Sequence, residues 1–277
     1  MKEKESAKQT LEILEKGYYT VNSNEIDISA EIKHSIDQAV LYTSDVFKYK
    51  ENDIDNEIAN RNYDTEITVE NCTAMQAAQL FTDNMRIGCL NFASANNPGG
   101  GFLSGARAQE ESLARASSLY PSQMKYFEEM YAYNRSRRTY LYSDTMIYSP
   151  NVVFFKNDKE ELLTQPYVMD ILTSPAVNIG AMVNNNRPDE LKQAKDVMLA
   201  RADKILSVFT LNKIENLILG AWGCGVFRNN PEDVASYFAH YLTGNGKYAK
   251  CFRKVVFAVF DRSKTLQNIN AFKKVFN

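Results

Sequence analysis

Asn97-Pro98-Gly99-Gly100-Gly101 and, after seven intervening residues, Gln109-Glu110-Glu111 put three bare backbone positions and two carboxylates into one short stretch of chain. Three successive glycines remove every Cβ, so the backbone can take positive φ and press its N–H groups against a phosphate or a ribose. The stretch is neither a Walker loop, since no Gly-Lys-Ser/Thr follows, nor GxGxxG, and a tight strand-to-helix turn would ask for the same glycines. Glu110 and Glu111 open a helix whose register continues through Leu113, Ala114, Ala116 and Leu119. Carboxylates in a first turn answer the positive end of the helix dipole, which is reason enough for their presence. Adjacent helical residues point about 100° apart, so the two cannot flank a scissile bond as the facing pair of an ordinary glycosidase. If they act, one handles the proton and the other positions the sugar.

A second glycine-bearing stretch, Gly220-Ala221-Trp222-Gly223-Cys224-Gly225-Val226-Phe227, stands between an apolar run and Pro231. A strand, a glycine loop and then a helix is the arrangement for a backbone nest that binds an anion at a helix N-terminus, with pyrophosphate the natural guest. Cys224 has no histidine near it in sequence and serves packing better than nucleophilic attack. Trp222 and Phe227 suit a core, although an aromatic at a loop exit can restrict a ribose. The tract Tyr131 to Tyr140, with Arg135, Arg137 and Arg138, interleaves cations with tyrosines as polyanion-binding surfaces do, and fits a solvated helix end still better.

These stretches need elements to hold them. Glu66–Val69 reads as a strand, Thr73 as the cap of a helix to about Phe81, and Arg86–Ala93 as a continuous apolar run of buried-strand length. Further strands are expected at 145–155, 167–173, 216–221 and 255–260, and helices at 188–211, 231–242 and 265–276, two of them opened by Pro188 and Pro231. The alternation implies parallel strands with helices on both faces, a three-layer α/β/α fold in which ligands bind beyond the carboxyl ends of strands. Residues 1–62 are charge-rich and helical in pattern and are expected to form an N-terminal extension packed on a domain spanning 63–277.

The chain has 277 residues with 32 Lys+Arg against 34 Asp+Glu, a net charge of -2 that removes the field for non-specific nucleic-acid binding. Four scattered cysteines and two isolated histidines argue for reduced thiols in a cytosol-like compartment and against zinc or a histidine triad. No run approaches the roughly 18 apolar residues of a membrane span, and the N-terminus is not a signal peptide, so a cytoplasmic protein is expected.

The two glycine stretches together resemble the signature loop and the phosphate-binding loop of poly(ADP-ribose) glycohydrolases. Their spacing, with the continuation from Ser112-Leu113 to Tyr120, is similar to the microbial-type branch, a macrodomain with a mixed central sheet and an N-terminal extension. The resemblance covers residues 65 to 277 and implies hydrolysis of the ribose–ribose O-glycosidic bond of poly(ADP-ribose), releasing ADP-ribose without a cofactor or metal. It implies that Glu111 is the general acid and base, that Glu110 holds a ribose hydroxyl, and that Gly99, Gly100 and Gly101 approach the substrate beside Gln109. Gly223, Cys224, Gly225 and Val226 would cradle the diphosphate and Phe227 would pack on the distal ribose. An asparagine contact to that ribose falls to Asn96 or Asn97, with Asn91 competing, and adenine stacking to Phe257 or Phe260. The expected partners are poly(ADP-ribose) or an ADP-ribosylated protein, and neither a membrane nor a specific nucleic acid. A non-catalytic ADP-ribose-binding macrodomain, or a hydrolase of mono-ADP-ribosyl or O-acetyl-ADP-ribose substrates, would share both glycine loops. A mere reader, however, has no physical need for carboxylates where a polyanion binds.

Overall fold

The computed structural model describes residues 2–82 and 85–276. In chain order its first elements are α1 (Lys2–Lys16), β1 (Tyr18–Val21), β2 (Asn24–Asp27), α2 (Ser29–Asp37), β3 (Val40–Tyr42), α3 (Ser44–Tyr49) and α4 (Glu51–Ala59). Next come β4 (Glu66–Glu70), α5 (Ala74–Ala78), β5 (Ile87–Phe92), α6 (Gln109–Ala116), α7 (Leu119–Met124) and α8 (Tyr133–Ser136). The chain continues through β6 (Met146–Lys156), β7 (Leu162–Ser174), α9 (Ile179–Asn184), α10 (Pro188–Leu211), β8 (Asn216–Leu219), α11 (Pro231–Leu242), β9 (Lys254–Ala258) and α12 (Gln267–Phe276).

Seven strands form one sheet in the order β3-β6-β7-β5-β8-β9-β4. The sheet is mixed: β3 and β7 run antiparallel to β6, whereas β5, β8, β9 and β4 pair in parallel. The parallel strands carry the continuous apolar texture of strands covered on both faces: Cys89, Leu90, Leu217 and Val255–Phe257 are buried. Local chemistry sets several boundaries. Thr73 accepts from the Gln76 N–H while the Gln76 side chain reaches back to the Thr73 N–H, a complete capping box. Asn230 caps α11, and Pro188 and Pro231 occupy first turns where no N–H is needed.

The chain divides into two units, the first made of Met1–Tyr42, Asn91–Ser136 and Thr145–Ser174, the second of Thr43–Leu90, Arg137–Asp144 and Pro175–Asn277. In the first unit, Ile13, Tyr19, Ile28 and Ile32 bury themselves with Val153 and Phe155 of β6. This stretch departs from the helical extension expected over 1–62, because it holds a β-hairpin and the edge strand β3 as well as helices. The reason is local: Asn22 and Ser23 both take positive φ, 51° and 64°, which turns Tyr18–Val21 back on Asn24–Asp27 without a glycine. Residues from Thr43 to Leu90 belong to the second unit.

The second unit is braced by a buried cation. Arg201 of α10, 1% exposed, pairs with Asp144 at 2.9 Å and donates to the carbonyls of Pro175 and Leu141, each at 2.9 Å. Arg201→Met would keep most of the volume while leaving two carbonyls without their donor. We expect a loss of about 3–5 kcal/mol, the range for breaking a buried pair, read as a lower urea midpoint.

Candidate active site

Within the first unit, β5 ends at Phe92 and the chain turns through the glycine loop into α6. Gly99 and Gly100 take φ of 65° and 59°, left-handed values that a side chain would strain. A Cβ on Gly100 would overlap the Glu111 carboxylate and stand 3.0 Å from Glu110 Oε2. Both carboxylates are therefore drawn to one bare backbone position, although their Cα–Cβ bonds diverge around the helix.

Glu111 is held by two backbone donors and Glu110 by one backbone and two side-chain donors. The Gly101 N–H donates to Glu111 Oε1 at 2.9 Å and the Ala108 N–H to Oε2 at 3.1 Å. Ala108 is the N-cap residue and has no side-chain acceptor, so only the reverse half of a capping box forms, with Glu111 reaching back as the N3 residue. Glu110, 3% exposed against 9% for Glu111, lies deeper. Its Oε2 accepts from the Ser94 N–H at 2.6 Å, and its Oε1 from Asn91 Nδ2 and Gln123 Nε2, each at 3.2 Å. Burial pushes the Glu110 carboxyl up to about 8, against the opposing pull of the Ser94 and Asn91 hydrogen bonds and with a smaller push from Glu111.

The remaining residues of this stretch divide by burial. Gln109 accepts from the Phe92 N–H at 2.9 Å and so ties the helix start to the strand end. Asn91 is fully buried against Glu110, whereas Asn97 is exposed and its Oδ1 accepts from Arg135 at 3.0 Å. Asn96 is half-buried, its main-chain oxygen taking the Arg135 Nε–H at 2.8 Å while its own Oδ1 is buried without a partner among the described residues. Arg135, expected on a solvated helix end, is thus the clamp of the asparagine pair, with Phe127 stacked on its guanidinium at 5.2 Å. Ser94, Gln123 and Arg135 contact the candidate residues without belonging to either glycine motif. Only the Tyr–Arg interleaving pointed to any of them.

In the second unit the other glycine stretch follows β8, which pairs in parallel with β5 through Ile87–Asn216 to Cys89–Ile218. The loop therefore leaves the carboxyl end of a parallel strand, where open α/β sheets place ligands. Gly223 takes φ of 75°, and a Cβ there would meet Ala176 at 2.5 Å and Asn229 Nδ2 at 2.6 Å. Asn229 donates to the carbonyls of Val177 and Gly223, at 2.8 and 3.1 Å, and locks the turn. The loop's own hydrogen bonds use the N–H groups of Trp222, Cys224, Arg228 and Asn229. Those of Gly225, Val226 and Phe227 have no acceptor among the described residues, Gly225 stands open, and Val226 is 84% exposed. Such a row of N–H groups can receive an anion. Burial pushes the Cys224 thiol up to about 12, which removes thiolate chemistry from the loop. Trp222 is fully buried, and Phe227 is half-buried with its ring 6.0 Å from that of Tyr142.

Of the two aromatics considered for adenine stacking, Phe257 is fully buried, stacked on Phe276 at 4.3 Å, and belongs to the core. Phe260 is 49% exposed beneath the Arg262 guanidinium. No group of three or more His, Cys, Asp or Glu among the described residues is arranged to hold a metal ion, and no described helix is long and apolar enough to cross a membrane.

Comparison with known proteins agrees with this architecture. The family model for the catalytic domain of microbial-type PARG matches residues 7–157, reaching well ahead of the first legible motif. The chain is similar to the poly(ADP-ribose) glycohydrolase of Thermomonospora curvata, with 38% identity over 99% of both chains and a TM-score of 0.89. The same protein bound to the inhibitor ADP-HPD matches with 38% identity over 99% of this chain and 98% of that one, at a TM-score of 0.87. The poly(ADP-ribose) glycohydrolase of Deinococcus radiodurans in complex with ADP-ribose is 36% identical over 88% of this chain and 95% of its own, at a TM-score of 0.80. No curated protein matches the chain in sequence.

The raised Glu110 carboxyl has a thermodynamic signature. Its folded value lies above the ordinary 4.5, so the stability it permits is complete below that pH and is lost as pH rises through about 8. The loss approaches about 1.4 kcal/mol per pH unit inside that window. Melting curves from pH 5 to 9 should therefore show Glu110→Gln gaining on the parent protein as pH rises, and parallel curves would show that the carboxylate is solvated.

Proposed function

The chain belongs to the microbial-type poly(ADP-ribose) glycohydrolase family, glycosidases that hydrolyse poly(ADP-ribose), and we propose that in it Glu111 is the acid and base of the reaction. Glu111 protonates the departing ribose oxygen as the bond from that oxygen to the anomeric carbon breaks. Positive charge then spreads over the ribose ring as an oxocarbenium ion. Glu111, now a carboxylate, takes a proton from the attacking water, whose oxygen becomes the new anomeric hydroxyl. The catalyst returns to its starting state and ADP-ribose is released.

The observation that carries this assignment is the difference between the two carboxylates. Glu111 keeps some exposure and has each oxygen fixed by one backbone N–H of the glycine loop, as a group that must meet a substrate at a set distance requires. Glu110 is sunk behind it among Asn91, Gln123 and Ser94, which suits holding a ribose hydroxyl in place. Gly99 to Gly101 leave backbone alone facing the sugar, Gln109 fixes the helix start, and Asn96 or Asn97 serves the distal ribose. The free N–H groups of Gly225, Val226 and Phe227, on the turn built by Gly223 and Cys224, hold the diphosphate through backbone dipoles, and the Phe227 ring lies along the distal ribose. The negative charge of that diphosphate stabilises the oxocarbenium ion in turn. A near-neutral protein suits this mode of phosphate capture, because affinity need not come from a general positive field.

Purified protein and Glu111→Gln, incubated with poly(ADP-ribose) and a metal chelator, should separate the readings. The parent protein should release ADP-ribose, detected by chromatography. Glu111→Gln should bind ADP-ribose normally and turn over about 10²–10⁴-fold more slowly, the usual contribution of a general acid. Binding without release by the parent protein would make it a reader or a hydrolase of mono-ADP-ribosyl substrates.

A further inference from the structure

Within the first unit α1 lies against the back of the glycine loop and α6, and it touches both through chosen side chains. Ala7 packs with Phe102 and Ala114 in one buried cluster, and Glu3 pairs with Arg107 of the loop. Thr10, fully buried, donates its hydroxyl proton to the main-chain oxygen of Arg115 in the last turn of α6. That carbonyl lies in the last turn of the helix, where intrahelical donors run out. The same hydroxyl accepts from Lys156 Nζ at 2.9 Å, and Lys156 also donates to the Ser6 carbonyl and hydroxyl at 2.8 and 3.0 Å. Lys156 is itself fully buried beside Arg115 and Glu160, and desolvation lowers its ammonium to about 8.

A path of single hydrogen bonds leads on to the proposed acid. The Arg115 guanidinium, fixed by Glu160 at 2.9 Å, donates to the Ala106 carbonyl at 2.6 Å. The Ala106 N–H donates to the Gly101 carbonyl at 3.1 Å, and the Gly101 N–H donates to Glu111 Oε1 at 2.9 Å. Resting on the assignment of Glu111 above, we propose that the Thr10 hydroxyl is a positioning group for the hydrolysis: it fixes Arg115, and through Ala106 and Gly101 it sets where the Glu111 carboxyl stands. The N-terminal helix is by this account part of the catalytic apparatus, joined to the Arg115 end of this path through a hydroxyl that gives and receives a hydrogen bond. A rigid second layer of this kind matters because small displacements of a reacting group are costly in rate.

Three substitutions separate position from packing. Thr10→Val keeps the shape and loses the hydroxyl, Thr10→Ser keeps the hydroxyl and loses a buried methyl, and Thr10→Ala loses both. The expected result with poly(ADP-ribose) as substrate is a fall in kcat of about tenfold or more for Thr10→Val, in the range that misplacement produces, with KM within twofold of the parent. Thr10→Ser should keep nearly full kcat despite a lower Tm. If Thr10→Val does not fold, Thr10→Ala against Thr10→Ser isolates the same hydroxyl. An unchanged kcat without the hydroxyl, a kcat that follows Tm across the series, or an effect confined to KM overturns the proposal. Glu111→Gln is run alongside: if it turns over at the parent rate, the reading of the acid has failed, which a normal Thr10 series with an inactive Glu111→Gln would leave intact.

Discussion

Everything at the first loop follows from two carboxylates pressed against one glycine. A carboxyl group can approach a backbone that closely only where no Cβ stands in the way, and Gly100 is that place. Once Glu111 is seated there, its two oxygens take one donor each, the Gly101 and Ala108 N–H groups. Glu110 takes the remaining space inward, where water is excluded and a negative charge is expensive, and it finds Ser94, Asn91 and Gln123 instead. The helix dipole, positive at this end, favours both.

The parts of this arrangement that were legible in the amino-acid sequence are those written in unusual residues at fixed spacing. Three glycines before a Gln-Glu-Glu, an apolar run ending in a glycine turn, a threonine cap and two prolines at helix starts each admit few structures. Strands such as Ile87–Phe92 and Met146–Lys156 lie within a residue or two of where apolar runs put them, and Pro188–Leu211 and Pro231–Leu242 span the expected helices. What could not be read depends on partners far along the chain. Arg135 looks like any surface arginine until the fold brings Asn96 and Asn97 to it. Lys156 looks like the polar end of a strand until α1 covers it. The Tyr18–Asp27 hairpin escaped notice because its turn uses Asn-Ser, where glycine would have announced the positive φ.

The second loop solves a different problem by similar means. Gly223 is required by its positive φ and by the closeness of Ala176 and Asn229, so its neighbour Asn229 can hold the turn from inside. A Cβ on Gly225 would meet nothing within 4 Å among the described residues. One glycine is bare because the protein fills the space, the other where the space lies open. That contrast tells a glycine kept for packing from one that leaves room for a guest, a distinction that motif reading alone does not make.

The cysteine between those two glycines carries a consequence of another kind. Cys224 keeps its proton well above physiological pH, and so do buried Cys89 and Cys251, raised to about 12 and about 11. Oxidants and alkylating agents attack thiolates far faster than thiols. The glycine turn of the second unit is therefore built around a sulfur that keeps its proton, the form that peroxide attacks slowly.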